Sequence, residues 1–244
     1  MKDKITPLIL ALAVLFGFGC KKKIDVEVAF QLTYDGEPLV MFQEYAYPDG
    51  KKITFSRFSF YLSDFQIKDG TNSIATENVD FVNLTNAHTD MAAAREGLLY
   101  LSDKFEISTL QEIEFNLGLR EDQNDKVPAD FATDHPQGKP GEYWLAWDSY
   151  IFAKIEGRID LDGDDELETG IALHLGSNNV MREIQLPVTN MGNKVTLQID
   201  LRDVFENGTI YNIAENPQLH SLSQLPAAEE LADNISQALK IKSR

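Results

Sequence analysis

Cysteine is almost missing from this 244-residue chain. Cys20 is the only one, so no disulfide within one chain can staple the fold. Basic residues are scarce as well: 22 Lys and Arg stand against 39 Asp and Glu, for a net charge of −17. Such a surface repels nucleic-acid phosphates, which excludes nucleic acid as a partner. The charge-free apolar run over residues 7–19 is shorter than the roughly 20 residues a membrane-crossing helix needs. The GxSxG elbow, the P-loop, GxGxxG and HExxH are all absent. With Cys20 explained otherwise below, nothing in the chain points to catalysis, and the expectation is a binder, not an enzyme.

What is present begins with an address. Lys2 and Lys4 precede the apolar run, which ends in Gly17-Phe18-Gly19-Cys20. A basic start, a short apolar stretch and small residues before a cysteine resemble a bacterial lipobox. Residues 1–19 are therefore expected to be a lipoprotein signal peptide, and Cys20 the lipidated N-terminus. Residues 20–23 form a short tether, and 24–244 the domain. The implied location is the bacterial cell envelope, as an outer membrane lipoprotein facing the periplasm or the surface. The membrane is a partner through the lipid anchor, since several acyl chains together hold a protein stably.

From residue 24 the main pattern has a period of two. Val26, Val28, Phe30 and Leu32 alternate with Glu27, Ala29, Gln31 and Thr33. Ile113, Phe115 and Leu117 alternate with Glu114 and Asn116, and Val195, Leu197 and Ile199 with Thr196 and Gln198. Each run reads as a half-buried strand of an antiparallel sheet. Over 53–67 the apolar phase slips twice, between Phe55 and Phe58 and between Leu62 and Phe65, which predicts bulges or bends. Residues 143–159 read as one long extended run and 91–99 as a turn or two of helix. Residues 122–141, with three prolines, read as a long loop. Pro226 followed by Leu231, Ile235 and Leu239 predicts one amphipathic helix over 226–241. The expected fold is a single all-β domain, an antiparallel β-sandwich or barrel-like structure with a C-terminal helix.

Two groups of residues carry candidate chemistry. Asp160, Asp162, Asp164, Asp165, Glu166 and Glu168 crowd one segment. Alternating Asp residues resemble a calcium loop, but the glycine, Gly163, stands too early for the EF-hand pattern. An exposed hairpin tip needing no calcium is the expectation. The four histidines are His88, His135, His174 and His220. Alternation puts His174 on the face opposite Leu173 and Leu175. No spacing is a local chelate, so a metal site would have to be assembled from distant segments.

Five segments in order resemble the MbnP-like copper-binding domain family of exported bacterial proteins. They are Phe55-Ser56-Arg57-Phe58-Ser59-Phe60-Tyr61-Leu62-Ser63-Asp64; Phe115-Asn116-Leu117-Gly118-Leu119 with Asp134-His135-Pro136 after it; the stretch from Tyr143 through Trp144, Trp147 and Tyr150 to Lys154, Glu156 and Gly157; His174-Leu175-Gly176-Ser177; and Asn216-Pro217 with His220 and the final helix. The resemblance implies a mononuclear copper site, Cu(I) or Cu(II), held by histidines. Carried over, it selects His174 and His220, with His135 matching a loop histidine. It also implies a redox or copper-transport partner in the envelope. Some members carry a tryptophan oxidised to kynurenine. Ala172, two residues before His174, is not a tryptophan, and Trp144 and Trp147 are expected to be structural. Met181 and Met191 are the candidate thioethers, expected instead to fill core. The alternative is a β-sandwich interaction module that binds a protein or glycan and no metal.

Overall fold

A computed structural model describes residues 23–243 except 71, 190 and 191. Residues 1–22, with the expected signal peptide and Cys20, and Met191 lie outside the described residues. Among the described residues, no helix is long and apolar enough to cross a membrane. Ten principal strands are β1 (Ile24–Tyr34), β2 (Lys52–Lys68), β3 (Ser73–Asn83), β4 (Leu98–Phe105), β5 (Glu112–Leu117), β6 (Ser149–Ile159), β7 (Thr169–Gly176), β8 (Arg182–Pro187), β9 (Lys194–Asp200) and β10 (Leu239–Ser243). The helices that matter here are α1 (Met91–Glu96), α2 (Leu201–Phe205) and α3 (Leu225–Ala238).

The predicted alternation in β1 is real: Val26, Val28, Phe30 and Leu32 are fully buried. The other face of β1 is covered too. Gln31 donates to the carbonyls of Ala94 and Arg95 at 2.6 and 2.9 Å, which ties the last turn of α1 over the strand and satisfies carbonyls the helix end would leave unpaired. In the smaller sheet β1 pairs with β9, which in turn pairs with β10; β4 also pairs with β1. The larger sheet runs β8-β5-β2-β6-β7 and ends on the two-residue strand Gln218–Leu219. Its spine is β2, 17 residues long. One edge of β2 takes β6 and then β5; the other takes the strand Glu44–Ala46 and then β3. The register of β2 shifts between Phe55 and Arg57 and between Ser63 and Gln66, where the apolar phase slips in the sequence. Both slips let phenylalanines on either side of a bulge reach one core.

The sheets meet through aromatic rings. Phe30 of β1 lies edge-on to Phe60 of β2 (centroids 5.3 Å) and to Phe115 of β5 (6.0 Å). Burying each such ring contributes about 1.5–3 kcal/mol. The β-rich fold with a C-terminal helix stands as expected. Within it, two pairings are parallel: β1 with β9, and β7 with Gln218–Leu219. Each joins segments far apart in sequence, a connection that tight hairpins cannot make.

Two boundaries differ from expectation. The final helix stops at Ala238. Leu239 and Ile241 alternate with Lys240 and Lys242, and that stretch adds to the free edge of β9 as β10. Leu239 fits both periods, so the helical stripe alone could not show the change. The extended run over 143–159 is broken by a turn. Tyr143–Trp144 pairs back on Tyr150 and Ser149, and Asp148 takes a left-handed φ of 50° to close it.

Candidate functional site

The parallel pairing of β7 with Gln218–Leu219 builds the site. Leu173 stands opposite Leu219 in register, and both are fully buried. One residue further along each strand the side chain points the other way, so His174 and His220 emerge side by side from the sheet. Their ring centroids are 5.1 Å apart and their planes 37° apart. His174 is half-buried and His220 exposed.

Trp144 stands edge-on to both rings, with centroids 4.9 Å from His220 and 6.0 Å from His174. Trp147 stacks on Trp144 at 4.9 Å with only 9° between the planes. The turn that brings the two indoles together is fastened by the Tyr143 hydroxyl, which donates to Asp148 at 2.6 Å. Gly176 makes room beneath it: a Cβ there would lie 2.7 Å from the Trp147 ring and 3.0 Å from the Tyr150 carbonyl. The tryptophans, expected to be structural, thus form one wall of the histidine site. The sequence hinted at this only through their spacing, since the turn between them was not legible.

Glu156 completes the arrangement. Its Oε1 lies 2.9 Å from His174 Nε2, across the β6–β7 ladder in which His174 faces Lys154 and Ala172 faces Glu156. The Glu156 carboxyl is held below the usual carboxylate range, first by the bond from His174 and further by the nearby charge of Arg57. Behind it lies a charge group. Arg57 donates to Glu142 at 2.6 Å. Lys154 Nζ lies 2.9 Å from the other Glu142 oxygen and also donates to the Gly141 carbonyl at 2.7 Å. The pKa of His220 is lowered, first by loss of solvent around its ring and then by the neighbouring His174. Both effects favour the neutral imidazole that a metal requires.

The third matched histidine is not brought to the pair. His135 stacks flat on Phe131 at 4.4 Å, and its Nδ1 accepts the Gln137 N–H at 3.1 Å, capping the turn Pro136–Gly138. His88 is fully buried, accepting the Leu32 N–H at Nε2 and bonding the Leu39 carbonyl through Nδ1. Met181 packs against the core. At the opposite end of β7, ligand atoms of Asp160, Asp162, Asp164 and Glu168 all lie within 4.8 Å of one another. Asp160, expected to be exposed with the rest of the tip, is buried, and its two oxygens accept the N–H groups of Gly163 and Asp165 at 2.7 and 2.9 Å. Asp165, at the sixth position of the loop, has a left-handed φ of 74°.

A two-sheet β domain that presents paired imidazoles beside stacked indoles defines the class. Within it, the chain belongs to the MbnP family, whose sequence model matches residues 23–221. Among solved structures it is similar to MbnP from Methylosinus trichosporium, at 11% identity over 76% of this chain and 78% of that one, with a TM-score of 0.51. At that identity the likeness is one of fold. No curated protein matches the chain.

Proposed function

We propose that this protein is a lipid-anchored, exported copper binder of the cell envelope, with His174 and His220 as the copper ligands. The observation that carries the reading is the 5.1 Å separation of the two imidazole centroids. Two rings that each ligate one ion at about 2 Å have centroids no more than roughly 6 Å apart, so the pair fits a shared ion with little movement. Imidazole nitrogen suits either oxidation state of copper. The acidic surface draws cations toward the domain without choosing among them. Copper is the cargo here, and the chain's own groups bind and orient it; the alternative of a metal-free interaction module gives no role to two imidazoles in register. Export and anchoring rest on residues 1–20 of the sequence, and a redox or copper-transport partner in the envelope follows from the same reading.

The test is a copper titration of the full chain in detergent, followed by metal analysis. One equivalent of copper is expected on the wild type. The expected loss in His174→Ala/His220→Ala is at least about a hundredfold in affinity, because both first ligands go. Equal binding by that variant and the wild type removes the copper reading and leaves the interaction module.

A further inference from the structure

We infer that Glu156 is a positioning residue that fixes His174 in the Nε2–H tautomer and so makes Nδ1 the nitrogen it offers to a metal. The inference rests on the copper reading for its purpose, though its first test needs no metal.

The argument starts from the donor inventory. An ionised carboxylate can only accept hydrogen bonds, whereas a neutral imidazole has one donor and one acceptor nitrogen. The 2.9 Å contact between Glu156 Oε1 and His174 Nε2 therefore requires the proton on Nε2. The lone pair is left on Nδ1, which meets no protein donor or acceptor among the described residues. Among the described residues the His220 ring makes no such bond; its backbone N–H donates to Gln224 Oε1 at 3.0 Å. The two imidazoles are thus inequivalent, one oriented by a carboxylate and one by packing against Trp144.

The carboxylate is itself well placed. Arg57, half-buried, is its partner in the β2–β6 register, and it joins the buried Lys154 and Glu142 in the charge group beneath it. A carboxylate that orients a ligating histidine through its second ring nitrogen fixes both tautomer and ring direction, and loss of such a group typically weakens metal binding 10–100-fold. Glu156 lies in strand β6, and the ladder sets its distance from β7, so the bond is made by sheet register and not by a mobile loop.

Two measurements on the full chain in detergent test this. Long-range proton–nitrogen NMR of metal-free, histidine-labelled protein at pH 8 is expected to show His174 as the Nε2–H tautomer. Glu156→Ala is expected to give a mixture of tautomers, and Glu156→Gln, whose side-chain oxygen can still accept, to restore much of the Nε2–H form. An Nδ1–H tautomer in the wild type, or the same tautomer in the wild type and Glu156→Ala, overturns the inference. Copper titration is expected to give a 10–100-fold weaker affinity for Glu156→Ala with intermediate binding by Glu156→Gln. Unchanged affinity in Glu156→Ala also overturns the inference, whereas unchanged affinity in the His174→Ala/His220→Ala variant overturns the copper reading instead. If Glu156→Ala fails to fold, the wild-type tautomer decides: Nε2–H on His174 is expected, and Nδ1–H overturns the inference.

Discussion

The two ends of β7 gather metal-ligand side chains in opposite ways. At its start the acidic loop gathers four carboxylate ligand atoms within 4.8 Å, all from nine consecutive residues. Near its end two histidines 46 positions apart in sequence meet in adjacent register. The acidic group looks more like a metal site on paper, yet its innermost member already serves the backbone. Asp160 closes the turn by accepting two N–H groups, and Lys52 sits 3.0 Å from Asp165. At the histidine end, Nδ1 of His174 has no protein partner among the described residues, and the pair stands against a wall of indole.

The sharpest way to break this comparison is to remove one side at a time. In copper binding, Asp162→Ala is expected to leave affinity unchanged, while either His174→Ala or His220→Ala lowers it by at least about tenfold. Isothermal titration would show it, and a drop in the acidic-loop variant would reverse the assignment. In stability the ranking is expected to invert. Asp160→Ala deprives two N–H groups of a charged acceptor and should cost about 2–4 kcal/mol, read as a lower urea midpoint. Asp162→Ala on the exposed rim should change it by less than about 0.5 kcal/mol.

Smaller effects sharpen the picture. Gly176→Ala is expected to cost about 1–3 kcal/mol, because the new methyl group must displace the Trp147 ring. Tryptophan fluorescence should shift in the same variant, and an unshifted spectrum would mean that the indole wall is not held from below. Acid should act on stability through a histidine away from β7. Burial lowers the pKa of His88, so the folded state binds fewer protons than the unfolded chain below about pH 6.5, the ordinary histidine value. Its contribution is full above that pH and is lost as the pH falls. Urea midpoints at pH 7.5 and 5.5 would show the decline, with a flatter profile in His88→Gln. The smallest expected effect is that of calcium: millimolar calcium should leave the melting temperature unchanged, because a ligand raises it only by binding the native state. A rise abolished by Asp162→Asn would break the contrast between the two ends.

Much of the scaffold was legible in the sequence, and for local reasons. Alternation in β1, β5 and β9 reports an apolar face turned to the core; it did not show that β1, expected half-buried, is covered on its other face as well. The slips between Phe55 and Phe58 and between Leu62 and Phe65 report bulges, because a period of two can change phase only by adding or skipping a residue. Leu239 was misread because i+4 spacing and alternation coincide there, and only the open edge of β9 decides between them.

The candidate site divides along the same line. The sequence alone put His174 on the face away from Leu173 and Leu175, since strand geometry fixes which way a side chain points. Likeness to the MbnP family picked out His220 and His135 as its companions. Only the tertiary structure decided that His220 comes to His174 and His135 does not. The partner of His174 is set by a parallel pairing between Ala172-Leu173 and Gln218-Leu219, a contact between distant segments that no local period encodes. Glu156, Trp144 and Trp147 stand in a segment that resembles the family, but their place beside His174 was not legible for the same reason: it depends on which strand lies beside β7, and that choice is made by the packing of the whole chain.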